Sequence, residues 1–122
     1  MIIDHIGLVV SNSAKSKDFY LQCLAPLNIA LVMEVEGWAG FGKEQKPEFW
    51  FGSAGEAHKP MHIAFIADSR SQVDQFYAAA IQAGGKDNGA PGIREIYHPH
   101  YYAAFVLDPD GHNIEAVCHK PQ

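Results

Sequence analysis

The hydrophobic pattern of the chain runs twice through the same sequence of periods. A short apolar, partly β-branched run opens each copy, His5-Ile6-Gly7-Leu8-Val9-Val10 and His62-Ile63-Ala64-Phe65-Ile66-Ala67, and each begins with a His. A polar segment follows, Ser11-Asn12-Ser13 or Asp68-Ser69-Arg70-Ser71, whose side-chain oxygens can accept from the first free amides of a helix. The pattern then takes helical spacing, with Phe19, Cys23 and Leu24 in the first copy and Val73, Phe76, Tyr77, Ala80 and Ile81 in the second, which stops at Gly84-Gly85. The two His, and the Phe19-Tyr20 and Phe76-Tyr77 pairs, share one separation of 57 residues, so the chain is an internal repeat.

Three shorter extended runs follow each helical stretch. In the first copy they are Ile29–Glu36, Trp38–Gly42 and Glu48–Gly52, split by Gly37 and by the Lys43–Pro47 segment. In the second copy one run between Lys86 and Ile96 is weakly marked, whereas Tyr102–Leu107 and Asn113–Cys118 are clear. Asp108-Pro109-Asp110-Gly111 between them suits a type I turn closing a hairpin. With opening strands at about Ile2–Val10 and Met61–Ala67, the expected fold is α+β: two tandem βαβββ modules forming curved mixed sheets around a cavity, within one chain or with a partner chain. The expected organisation is a single domain over 1–122, with module one at about 1–52, a linker at 53–60 and module two at about 61–119.

Side chains of a strand alternate between faces, which assigns the polar residues. Ile2, Ile6 and Leu8 form the apolar set that packs on the first helix, which puts His5 on the opposite, concave face; Ile63 and Phe65 do the same for His62. In the last strand Ile114, Ala116 and Cys118 face the helix, and Asn113, Glu115 and Val117 face away. Phe49 and Phe51 are core positions, Trp50 points to the cavity, and Glu48 shares its parity. His5, His62 and Glu115 thus have the composition of a two-His-one-carboxylate metal site, suited to a divalent Fe, Mn, Ni or Zn ion. A His of a strand taken alone is more often a satisfied polar residue than a ligand; the matched positions in the repeat, together with a Glu of the right parity, favour the metal.

Composition narrows the function. Nine basic side chains against 14 acidic ones, scattered singly, form no phosphate-binding stripe, so nucleic acid is not an expected partner. No apolar run is long enough to span a bilayer, and the Met1-Ile2-Ile3-Asp4-His5 start carries no basic leader. Cys23 and Cys118 form neither a CxxC nor a disulfide framework, which makes the cytoplasm the expected location. The segment Tyr97-His98-Pro99-His100-Tyr101-Tyr102 is rich in rings. Tyr97, His98 and His100 are candidate proton shuttles and Tyr102 a candidate cavity residue; equally, the segment could be an edge loop whose rings cover the sheet end.

The strand-opening His5 and His62, the Asp108-Pro109-Asp110-Gly111 turn and the Asn113-Ile114-Glu115 ending resemble, over essentially the whole chain, the paired-module signature of the vicinal-oxygen-chelate superfamily of glyoxalases, bleomycin-resistance proteins and extradiol dioxygenases. The resemblance implies that His5, His62 and Glu115 fall on three metal-ligand positions, and that Trp50 falls near the fourth, where glyoxalase I enzymes carry a Glu. It implies a metal-dependent lyase, isomerase or ring-opening dioxygenase acting on a small substrate with vicinal oxygens. The alternative within the same resemblance is a metal-free, ligand-sequestering protein of the bleomycin-resistance type, binding through Trp50, Trp38 and tyrosines. It further implies a homodimer, whose cavity takes His5 from one chain and His62 with Glu115 from the other.

Overall fold

The structure, a computed structural model, describes residues 3–121. Ile2, expected in the apolar set of the first strand, lies outside the described residues. Each half follows the order strand, helix, three strands: β1 (Ile6–Val9), α1 (Ser13–Cys23), β2 (Ala30–Val35), β3 (Trp38–Lys43) and β4 (Lys46–Gly52), then β5 (His62–Ile66), α2 (Arg70–Gln82), β6 (Lys86–Ile93), β7 (Tyr102–Leu107) and β8 (Asn113–Cys118). The strands form two four-stranded mixed sheets in the equivalent orders β1-β4-β3-β2 and β5-β8-β7-β6, so the fold is α+β with two βαβββ modules. The opening strand of each module pairs in parallel with its last strand, and the remaining pairings are antiparallel.

Local chemistry explains the boundaries. The Asn12 side chain accepts from the Lys15 amide to start α1, and Ser69 accepts from the Gln72 amide to start α2. The second helix stops where Gly84 takes φ +100, which lets the Gly85 amide donate back to the Ala80 carbonyl at 2.8 Å. A 3₁₀ turn at Ala25–Leu27, which the sequence pattern does not anticipate, follows α1 because Pro26 supplies a preset φ and Asn28 closes the turn in the left-handed region. The β3–β4 hairpin is tighter than expected: only Glu44 and Gln45, both at positive φ, form its tip, and β4 starts at Lys46. Pro47 is accommodated where the register shifts opposite Gly42, a place where its missing N–H interrupts little.

One core serves both modules. Phe19, Tyr20, Phe41, Phe49 and Phe51 from the first half and Val73, Phe76, Ala80, Val106 and Ile114 from the second belong to one buried cluster. The rings interlock, with Tyr20 edge-on to Phe49 at 4.9 Å and Phe49 edge-on to Phe65, across the module boundary, at 5.2 Å. Each such ring contributes about 2 to 3 kcal/mol through burial. The helices therefore lie between the helix-facing sides of the two sheets, and the other face of each sheet opens away from this common core. Among the described residues, the two sheets of one chain stay separate and do not close around a shared cavity.

A buried polar link fixes the second module on the first. Asp108, at the start of the β7–β8 turn, accepts from the Tyr20 hydroxyl at 2.5 Å through Oδ2, and from the Asp110 and His112 amides at 2.9 and 2.8 Å through Oδ1. The Gly111 amide donates to the Asp108 carbonyl at 2.9 Å, the i to i+3 bond of the expected turn. Among the described residues no helix is long and apolar enough to cross a membrane.

Candidate functional site

The register of the second sheet places the polar residues. His62 lies opposite Asn113, Ala64 opposite Glu115, and Phe105 opposite Glu115 from the other side, so His62, Glu115 and Phe105 share the face turned away from α2. There His62 Nε2 and Glu115 Oε1 are 2.8 Å apart, and the His62 ring lies 6.2 Å from that of Phe105. Glu115 is only 1% exposed, whereas the His62 side chain is 54% exposed, so the pair presents an accessible imidazole backed by a buried carboxylate. The other carboxylate oxygen, Oε2, accepts from the Tyr101 hydroxyl. Burial first, and the Glu115 carboxylate second, raise the Tyr101 ionisation well above the usual phenol range, so the group stays a donor.

Tyr101 is the residue that the sequence reading passes over while naming its neighbours. Tyr102 pairs with Cys118, a core position, and therefore faces the helix: its hydroxyl donates to Asp74 on α2 at 2.6 Å and its ring lies 5.2 Å from the Arg70 guanidinium. This corrects the expectation that Tyr102 lines the cavity, because strand alternation turns Tyr101, one residue earlier, to the Glu115 side. The same alternation past the end of β8 brings in His119, also not anticipated, whose ring stands edge-on to Tyr101 at 5.2 Å.

The remaining residues of the ring-rich segment gather on Tyr101. Tyr97 is exposed and stacks obliquely on the Tyr101 ring at 4.7 Å. His98 lies edge-on to Tyr101 at 5.5 Å, with its Nε2 2.8 Å from His119 Nδ1. His100 is exposed, and its backbone amide donates to His98 Nδ1 at 3.1 Å.

His5 stands on the other sheet. It precedes β1, and its Nδ1 lies 2.8 Å from Asp4 Oδ1, while Lys46 approaches the second Asp4 oxygen at 3.2 Å. The His5 hydrogen bond, and then Lys46, hold the Asp4 carboxyl below its usual range. With Nδ1 turned to a carboxylate, Nε2 remains as the nitrogen free to ligate, the arrangement found behind metal-bound imidazoles. His5, Gly7, Val35, Glu36, Trp38 and Trp50 line an open concavity of about 430 Å³. Its floor is glycine: a Cβ at Gly40 would come within 2.9 Å of the Trp50 ring, and one at Gly52 within 2.8 Å of the Trp38 ring, so both indoles lie flat on backbone. Trp50 thus lines the concavity beside Trp38. Glu48 has 43% side-chain exposure and stands 3.7 Å from Lys46 Nζ.

Taken together, the structure joins His62 to Glu115 and leaves His5 on a separate face; among the described residues no three His, Cys, Asp or Glu side chains converge on one point. The donors present nonetheless fit an ion as a half-site. Two ligand atoms at right angles on a metal with bonds of about 2.1 Å are about 3 Å apart, close to the His62–Glu115 separation of 2.8 Å. Tyr101 supplies the outer hydrogen bond that such a carboxylate ligand ordinarily has.

Comparison with known proteins agrees with this architecture. A family model described as the Glyoxalase/Bleomycin resistance protein/Dioxygenase superfamily matches residues 2–116, and the chain belongs to that superfamily. A glyoxalase/bleomycin resistance protein from Albidiferax ferrireducens T118 is 27% identical, with a TM-score of 0.85 over 99% of this chain and 100% of that one. A glyoxalase/bleomycin resistance protein/dioxygenase family enzyme from Burkholderia phytofirmans PsJN shares the fold at 17% identity and a TM-score of 0.74, covering 97% of this chain and 98% of that one. A lactoylglutathione lyase from Agrobacterium tumefaciens does so at 14% identity and 0.69, covering 95% and 92%. Among curated proteins no relative matches.

Proposed function

We propose that this protein is a cytoplasmic, divalent-metal-dependent enzyme acting on a small substrate with vicinal oxygens, as a lyase, isomerase or ring-opening dioxygenase, and that it works as a homodimer. His62 and Glu115 of one chain and His5 of a second copy would hold the ion, which is Fe, Mn, Ni or Zn. The observation that carries this reading is Glu115: a carboxylate 1% exposed, held through one oxygen by Tyr101 and set beside an accessible imidazole through the other. Such a group is costly to bury unless it has a task or a counter-charge.

When bound, the ion supplies Lewis acidity towards two neighbouring substrate oxygens. The chain's own groups do the rest. Phe105 walls the His62 side of the site, and the indoles of Trp38 and Trp50 provide flat apolar surface on the facing half. Tyr97 and His98 pack on Tyr101, with His100 bonded to His98 through its amide, and an imidazole there would exchange protons with solvent.

Metal per chain, measured after purification without chelator, tests the reading. About one equivalent in the wild type and loss of it in His62→Ala are expected; equal, near-zero occupancy in both overturns it. A second reading, metal-free sequestration of a ligand, is favoured by Trp50, which has no donor atom for a metal at the position near the fourth ligand, and by the open indole faces. Ligand quenching of tryptophan fluorescence that survives chelator distinguishes it.

A further inference from the structure

Glu115 has two carboxylate oxygens, and the structure gives them different partners. Oε1 lies 2.8 Å from His62 Nε2, and Oε2 accepts from Tyr101. What fixes Tyr101 is a box of rings with its own hydrogen-bond order. The His100 amide donates to His98 Nδ1 at 3.1 Å, which makes that nitrogen an acceptor and leaves the proton on Nε2. His98 Nε2–H then donates to His119 Nδ1 at 2.8 Å. The two imidazoles, tied in this direction, meet the Tyr101 ring edge-on from the loop and from the end of β8, and Tyr97 covers it from outside.

We propose that Tyr101, clamped by His98 and His119, keeps Glu115 a one-oxygen ligand and so leaves coordination positions open for a chelating substrate. The inference rests on the metal reading above. Carboxylates bind cations through one oxygen or two. Here the phenol occupies Oε2, and only Oε1, the oxygen beside the ligating imidazole, is available to an ion. Two imidazoles and one carboxylate oxygen fill three positions of a six-coordinate ion and leave three for substrate oxygens and one further small ligand. Without the phenol, Oε2 is a buried acceptor lacking its partner, a costly state that turning towards the cation relieves. Tyr101 is therefore a positioning residue, and His98 and His119 act through it.

The test uses the full chain loaded with Mn²⁺ and two readouts: bound Mn²⁺ per chain, and the solvent-proton relaxation enhancement that reports exchangeable water on the ion. Tyr101→Phe is expected to keep its Mn²⁺ while the enhancement falls by about one third, as three open positions become two. His98→Ala moves the same way by less. Tyr77→Phe, which removes a phenol on α2 bonded at 3.0 Å to Asp87, on the side of the sheet away from Glu115, leaves the enhancement unchanged. A folded, Mn²⁺-bearing Tyr101→Phe protein with wild-type enhancement overturns the proposal, as does one that folds but no longer takes up the ion. Should Tyr101→Phe not fold, wild-type enhancement in Mn²⁺-loaded His98→Ala overturns it instead. Failure of the wild type to bind Mn²⁺, Zn²⁺ or Co²⁺ at all removes the metal reading, and this inference with it.

Discussion

The Tyr20 hydroxyl and the Asp108 carboxylate meet at 2.5 Å in the interior, joining the first helix to the turn that leads into the strand carrying Glu115. The turn residues therefore have a purpose beyond reversing the chain. Asp108 gathers the turn's own amides on one oxygen and reaches the other module with the second. Glu115 lies seven residues further along, so the register of the site depends on this anchor.

Replacing Tyr20 by Phe keeps the ring in the aromatic cluster but removes the only hydrogen bond shown to Asp108 Oδ2 among the described residues. Loss of a buried bond to a charged acceptor costs about 1.5 to 3 kcal/mol, measurable as a lower denaturant midpoint with an unchanged slope. A variant of unaltered midpoint would show that water replaces the phenol without loss.

The same residue gives the protein an alkaline limit. Burial, with the neighbouring Asp108 next, pushes the Tyr20 ionisation well above the ordinary value of 10.0. A group raised in this sense contributes its full stability below the unfolded value, and loses it as the pH climbs through and beyond that value. Stability should accordingly fall above about pH 10 in the wild type. In Tyr20→Phe that part of the fall is missing, which chemical unfolding at a series of pH values from 8 upward measures.

A shared site makes a quantitative prediction for mixed dimers. If His5 of one chain serves His62 and Glu115 of another, His5→Ala and His62→Ala proteins each lose their bound metal. Unfolded together in equal amounts and refolded, they regain about a quarter of the wild-type metal, since half of the dimers are mixed and each mixed dimer has one intact site of two. Metal analysis of the refolded mixture is the measurement. No recovery would mean that His5 of one chain does not complete the site of another.

Much of this was legible in the sequence because it follows from alternation and turn chemistry. Tyr102–Leu107 and Asn113–Cys118 are strands with the bounds that the pattern predicts, and Glu115 stands on the face opposite Ile114 and Ala116. The β6 strand was faint because Lys86–Ile93 carries two glycines and a proline and shifts register twice against β7, so no period of two survives. Tyr101 and His119 were missed for a different reason. Both lie one residue outside their strands, and the alternation that selects them holds only once the β7–β8 register is known. The separation of His5 from His62 depends on how two modules pack, which no local pattern encodes.

The glycine floor of the first sheet gives a contrast between two neighbouring positions on one strand. At Gly40 the atoms nearest to an added Cβ are outer ring atoms of Trp50, at 2.9 Å, and that ring borders an open concavity. Gly40→Ala should thus cost less than about 1 kcal/mol, while changing the tryptophan emission and weakening any ligand that stacks on the indole. At Gly42 the added carbon would lie 1.7 Å from the Lys46 carbonyl oxygen and 2.7 Å from its carbon, both backbone atoms of the β3–β4 hairpin. No side-chain movement relieves that contact, so Gly42→Ala should cost about 3 kcal/mol or more by prising the hairpin apart. Thermal unfolding of the two variants checks the order. Gly40→Ala as the more destabilised protein would mean that Trp50 is held in place by more than the backbone beneath it.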